Sequence, residues 1–254
     1  MTPLAEDAAR LLIGSGLGAI IGSFLGAAVM RWPRGESVMR GRSRCDGCGR
    51  TLGVVDLIPL LGALIPRGKC RQCGARIDPI HMVMEAGCAA IGGIAFLLAP
   101  PLAALLTAVA GWMLLALAVL DARHFWLPDA LTLPLAVIGL TLGDWALPAP
   151  FRDRVIGAAL GYGLLFALAW SYKRLRGRDG LGLGDAKLLG AIGAWTGWQA
   201  LPLVLLMASG AGLLWALIER LRGRAVERGT RLPLGTFLCL AVLPTWALAR
   251  LLGL

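Results

Sequence analysis

From Met82 to Leu120 the chain carries one charged residue, Glu85, in 39 positions, and from Leu188 to Ile218 it carries none in 31. Such runs exceed the roughly 20 apolar residues that cross a bilayer as a single helix. Pro100-Pro101 divides the first run in two, and the turn at Trp195-Thr196-Gly197-Trp198 divides the second. Leu11–Met30, Ala130–Gly143, Val155–Tyr172 and Leu232–Ala249 bring the apolar segments to eight. In hydrocarbon each backbone N–H and C=O must find its partner within the protein, so each segment is expected to be a helix. The expected fold is therefore an all-α polytopic membrane protein with about eight transmembrane helices. A charged fraction of only 16% agrees with this, since soluble domains hold about 25%.

The net charge of +10 would suit a nucleic-acid partner if it formed one patch. Instead the loops 31–80, 121–128, 173–187 and 219–231 hold 21 of the 25 Lys and Arg residues. Basic loops between apolar segments mark the cytoplasmic side and anionic lipid headgroups. The opening MTPLAED is acidic, and Arg31 and Arg34 follow the first apolar segment. That order predicts a retained first helix with its N-terminus outside rather than a cleaved leader. Gly14, Gly18, Gly22 and Gly26 recur every fourth residue in that helix, a spacing that lets a second backbone approach closely.

Residues 31–80 form a polar insert with two CxxC pairs, Cys45/Cys48 and Cys70/Cys73, separated by 21 residues. A glycine follows each pair and permits a tight turn that aims both thiolates at one ion. Four thiolates make a closed tetrahedral site of the structural zinc type. Two disulfides are the other pairing, which a reducing cytoplasm disfavours. Cys88 and Cys239 stand alone in apolar runs and read as small core residues. The expected domains are a first transmembrane helix at 1–30, the zinc-binding insert at 31–80, and a seven-helix membrane core at 81–254.

Acids at membrane edges are scarce and are candidates for function. Asp121 closes a run of 20 uncharged residues, and Asp185 opens the sixth segment within GLGLGDAKLLG. With the third segment running inward and the sixth starting inside, both carboxylates fall at a similar depth on the cytoplasmic side. Two carboxylates in a partly dry site share a proton, so one can take a proton from water while the other donates to a carbonyl. Equally, Asp185 could cap its helix while Asp121 and Asp129 solvate a loop. Gly182, Gly184 and Lys187 do not complete a nucleotide-binding glycine motif. Glu85 is a candidate polar contact for the insert; His81 and His124 read as loop or interface residues.

At these residues the chain resembles the type IV prepilin leader peptidases, a family of GxGD aspartic membrane peptidases. The resemblance rests on Gly182-Leu183-Gly184-Asp185-Ala186-Lys187 and on Asp121 opening DARHFWLPDALTLPL. It also rests on Gly22-Ser23-Phe24-Leu25, both CxxC pairs, and DLIPLLGALIPRGKC leading into the second pair. It implies an aspartic endopeptidase of the bacterial inner membrane that removes the basic leader of prepilins or pseudopilins at the cytoplasmic face, in type IV pilus assembly or type II secretion. By this match Asp121 and Asp185 are the catalytic residues, with Gly182 and Gly184 as supporting motif. Cys45, Cys48, Cys70 and Cys73 remain the expected zinc ligands from their spacing. Many members with this insert also methylate the new N-terminus from S-adenosylmethionine. Gly26 and the stretch His81–Glu85 depart from the family's usual pattern, both in the half associated with methylation. The implied partners are prepilins and membrane lipids, with no nucleic acid. A proton- or cation-coupled carrier with a structural zinc loop, and a membrane-anchored zinc module, are the alternatives from other classes.

Overall fold

The computed structural model describes residues 3–39, 43–45, 47–65, 67–177, 182–223 and 232–252, excluding the side chains of Ala63 and of residues 247–252. Parts of the expected basic loops, 178–181 and 224–231, lie outside the described residues. The helices are α1 (Pro3–Arg31), a single turn α2 (Leu61–Leu64), α3 (Pro79–Leu98), α4 (Pro101–His124), α5 (Asp129–Leu142), α6 (Phe151–Arg176), α7 (Leu183–Thr196), α8 (Leu201–Leu221) and α9 (Leu234–Leu252).

Each of the eight apolar segments becomes one of these helices. Five of them are long and apolar enough to cross a membrane: α1 with its extension to Arg34, α3, α4, α6 and α8. α5 and α7 have 14 residues each. At 1.5 Å per residue that is about 21 Å, short of a ~30 Å hydrocarbon core. The apolar part of α9, Leu234–Trp246, is similarly short.

The chain forms two compact units, Met1–Ala116 and Leu117–Leu254. In the first, α1 and α3 pack through the glycine face. A Cβ on Gly14, Gly18 or Gly22 would run into the backbone carbonyls of Gly92, Cys88 and Met84, respectively. The contacts ascend one helix as they descend the other, so the pair is antiparallel. Cys88 is fully buried beneath this contact, and its carbonyl accepts the Trp112 indole N–H at 2.8 Å.

In the second unit α6 and α7 repeat the device. Gly157 meets the Gly193 carbonyl at 2.5 Å from an added Cβ, and Gly161 meets the Leu189 carbonyl at 2.6 Å. α7 is buried almost throughout from Leu188 to Trp195, and the Trp195 indole N–H donates to the Leu135 carbonyl at 2.7 Å. Arg154, just ahead of the apolar segment that starts at Val155, lies in the first turns of α6 and is fully buried. Its guanidinium donates to the Gly139 carbonyl at 2.8 Å and pairs with Asp144 at 2.6 Å. That pairing is what makes a buried cation tolerable.

Candidate active site and cysteine cluster

Asp121 sits in the last turn of α4 and is 5% exposed. Its surroundings come from the first turn of α9. The Thr236 N–H donates to Asp121 Oδ2 at 2.7 Å. The Thr236 hydroxyl stands 3.2 Å from that same oxygen and 2.9 Å from the Ala118 carbonyl. Gly235 has no room for a side chain, since a Cβ would lie 3.0 Å from Oδ2 and 3.1 Å from Cγ of Asp121.

Asp185 is the third residue of α7, whose N-cap is Gly182. Its own N–H donates to the Gly182 carbonyl at 3.2 Å, and Gly182 lies against the carboxylate, 3.3 Å from Oδ2 to the position of an added Cβ. The residue is thus not the N-cap itself, although it reaches back toward one. Its other oxygen, Oδ1, is buried with no hydrogen-bond partner among the described residues. The Asp185 carboxyl feels the charge of Asp121, and the Gly235 amide faces both. Cys239, one turn further along α9, is buried within range of both.

Gly184 has a second reason to be glycine. A Cβ there would stand 3.1 Å from the Leu127 side chain, which also fills the space beside Gly235 at 2.9 Å. Leu127, from the turn after α4, therefore wedges between the starts of α7 and α9. Asp129 stays outside this cluster in a two-pronged ion pair with the Lys187 ammonium, at 2.7 and 2.9 Å.

In the first unit the four cysteine sulfurs lie within 4.8 Å of one another, in a cluster that could hold a metal ion. The Cys45 and Cys73 sulfurs are 3.8 Å apart. A tetrahedron with metal–sulfur bonds of 2.3 Å has edges of about 3.8 Å, so the donor set fits. The two knuckles are built alike. The Gly49 N–H donates to the Cys45 carbonyl at 2.9 Å and the Gly74 N–H to the Cys70 carbonyl at 3.0 Å. Both glycines are left-handed, at φ +69° and +71°, as their places after the CxxC pairs require. The backbone N–H groups of Cys73 and Gln72 hold the Cys70 thiol below its ordinary range, at about 6, which favours the thiolate that a metal binds.

Beside the cluster lies a cavity of about 590 Å³. Its wall includes Asp56, held below the ordinary carboxylate range by the Gly53 N–H and the guanidinium groups of Arg50 and Arg71. Glu85 is 7% exposed and accepts the Leu60 N–H at 2.7 Å. It thereby fastens the insert to α3 at a residue with a positive φ of 64°.

The sequence reading missed Gly235, Thr236 and Leu127. The only local signal was a Gly-Thr pair opening the last apolar segment, and nothing in the sequence ties it to an aspartate 115 positions earlier.

Residues 108–217 match the type IV leader peptidase family, and residues 17–99 match the bacterial peptidase A24 N-terminal domain. The chain is 34% identical over 259 residues to a prepilin leader peptidase/N-methyltransferase of Pseudomonas putida, covering 93% of this chain and 90% of the relative. It is 37% identical over 268 residues to a protein of that description from Burkholderia pseudomallei strain 1026b, covering 93% and 86%. With that of Pseudomonas aeruginosa it shares 34% over 253 residues, covering 89% and 86%. No solved structure matches.

Proposed function

This chain belongs to the type IV leader peptidase family, and from that premise we propose that it removes the basic leader of prepilins or pseudopilins by aspartic catalysis and then methylates the new N-terminus. Asp121 and Asp185 are the catalytic pair. One carboxylate takes a proton from water as the water oxygen attacks the scissile carbonyl carbon, and the other gives its proton to the carbonyl oxygen. A tetrahedral diol results. As it collapses the C–N bond breaks, the first carboxyl returns its proton to the leaving amine nitrogen, and a diol hydroxyl restores the proton of the second. The observation that carries this reading is that two acids 64 positions apart, on different helices, face one shared amide at Gly235, with Asp121 buried and Asp185 half-buried beside it.

Cleavage is then at the cytoplasmic face of the inner membrane, a side that the basic loops next to both acids support. The domains then divide the work: the helix at 1–30 and the insert at 31–80 serve methylation together with Glu85 at the start of α3, and the rest of residues 81–254 serves cleavage. Zinc on Cys45, Cys48, Cys70 and Cys73 holds the insert together, because about 50 residues bury too little apolar surface alone.

S-adenosylmethionine supplies a sulfonium-activated methyl group when bound. The cavity in the first unit has the size of a small-molecule site and the chemistry for such a donor. Glu85 and Asp56 offer carboxylates to its ammonium and sulfonium charges, and Leu57 and Ile58 offer apolar surface. Arg50, which pairs with Asp56 at 2.9 Å, also lines the cavity and adds positive charge for the donor's carboxylate. The experiment is incubation of the membrane-embedded protein with a prepilin peptide and S-adenosylmethionine, read by intact mass. Loss of the leader and gain of one methyl group are expected. An unchanged mass, with proton-coupled flux in liposomes, would replace this reading with the carrier.

A further inference from the structure

The two aspartates are not equivalently served. Asp121 Oδ2 receives the Thr236 N–H at 2.7 Å and has the Thr236 hydroxyl 3.2 Å away. Asp185 is faced by the Gly182 amide and shares that of Gly235 with Asp121, but no side-chain donor reaches it among the described residues, and its Oδ1 is buried without a partner there. Donors aimed at a carboxylate favour its ionised form, whereas a buried oxygen without donors favours the protonated form. In a pair that shares one proton, the charge therefore goes to the better-served member.

The hydroxyl adds a second feature. It has one proton and two acceptors in reach, the Ala118 carbonyl at 2.9 Å and Asp121 Oδ2. Turned toward Asp121 it stabilises the charge; turned toward Ala118 it leaves a lone pair for a protonated Asp121 to donate to. The same residue can thus accommodate Asp121 on both sides of a proton transfer.

We propose that Thr236 is the positioning residue that keeps Asp121 ionised in the resting enzyme, so that Asp121 is the base that activates water and Asp185 holds the proton given to the carbonyl oxygen. This rests on the aspartic-peptidase reading and assigns the two roles within it. Among the described residues, the titratable groups facing the pair are each other and Cys239 on α9. Lys187 and Asp129 satisfy one another instead.

The test is the pH profile of prepilin cleavage by the full-length protein with Thr236→Val, which removes the hydroxyl at nearly constant shape and keeps the backbone N–H. Cleavage rises as pH climbs through ionisation of the base. Losing a donor to the ionised form makes that ionisation harder, so the acidic limb moves to higher pH. A lost hydrogen bond to a charged group is worth about one pH unit, or roughly tenfold in rate on the limb. Thr236→Ser restores the donor and the original limb. A limb unmoved in Thr236→Val, an equal shift in Thr236→Ser, or a folded Val variant inactive at every pH overturns the assignment. If valine prevents folding, Thr236→Ala must show the shift. Failure of the underlying reading looks different: Asp121→Asn and Asp185→Asn would both still cleave.

Discussion

Gly235→Ala isolates the geometry of the aspartate cluster with a single methyl group. The new Cβ would stand 3.0 Å from Asp121 Oδ2, 3.1 Å from its Cγ and 2.9 Å from Leu127 Cδ1. Ordinary contacts at such atoms are near 3.5 Å, so the start of α9 must withdraw by about 0.5 Å. The Thr236 N–H, now 2.7 Å from Asp121, would follow it out to roughly 3.2 Å, the far edge of an N–H···O bond. Loss of most of a charge-assisted hydrogen bond costs about 1–2 kcal/mol, a factor of roughly 5–30. Displacements of this size at a reacting centre reach about a hundredfold at 1 Å. We therefore expect kcat for prepilin cleavage to fall about 10- to 100-fold, with KM nearly unchanged because the substrate's remaining contacts are untouched. Alanine is the better helix former by about 1 kcal/mol, so this loss comes without general unfolding. Gly163→Ala is the control, since nothing stands within 4 Å of its added Cβ. Steady-state cleavage of a fluorescent prepilin peptide in proteoliposomes provides the readout. Wild-type kcat in a folded Gly235→Ala protein would refute the link between this cluster and the chemistry.

Gly18→Leu should separate α1 from α3 and lower the melting temperature of the detergent-solubilised protein, because its first added atom meets the Cys88 carbonyl; Gly16→Leu, whose added Cβ meets nothing within 4 Å, should not. Cys45→Ser combined with Cys70→Ser should reduce bound zinc, measured by plasma emission, from about one ion per chain to none. The same variant should lose methylation yet retain cleavage, because both aspartates belong to the Leu117–Leu254 unit; cleavage that disappears although α4, α7 and α9 stay folded would contradict that division.

Much of this organisation was legible in the sequence because the bilayer leaves few choices. Uncharged runs must be helices, so α1, α3 and α4 could be placed from their lengths. The glycine spacing of α1 declared a close helix contact, and Gly49 and Gly74 declared the two cysteine knuckles. Asp121 and Asp185 could be brought to one side by counting crossings. Helix ends were harder to read. A helix continues past the last apolar residue wherever its polar residues find partners, so α6 runs to Arg176 and starts early enough to bury Arg154 against Gly139 and Asp144. Gly184 was legible only as part of a motif, and nothing in the sequence showed that Leu127 fills the space beside it. The part played by Thr236 was invisible, because a threonine at the head of an apolar segment gives no hint of what its N–H will face.

The central claim, that two carboxylates on separate helices perform the cleavage together, is tested most directly by purifying Asp121→Asn and Asp185→Asn and measuring prepilin leader removal by mass. Asparagine keeps the shape and removes the proton exchange. Both variants should insert, fold and retain zinc while leaving the leader attached at every pH. Leader removal by either one, at a rate near that of the unaltered protein, would contradict the account.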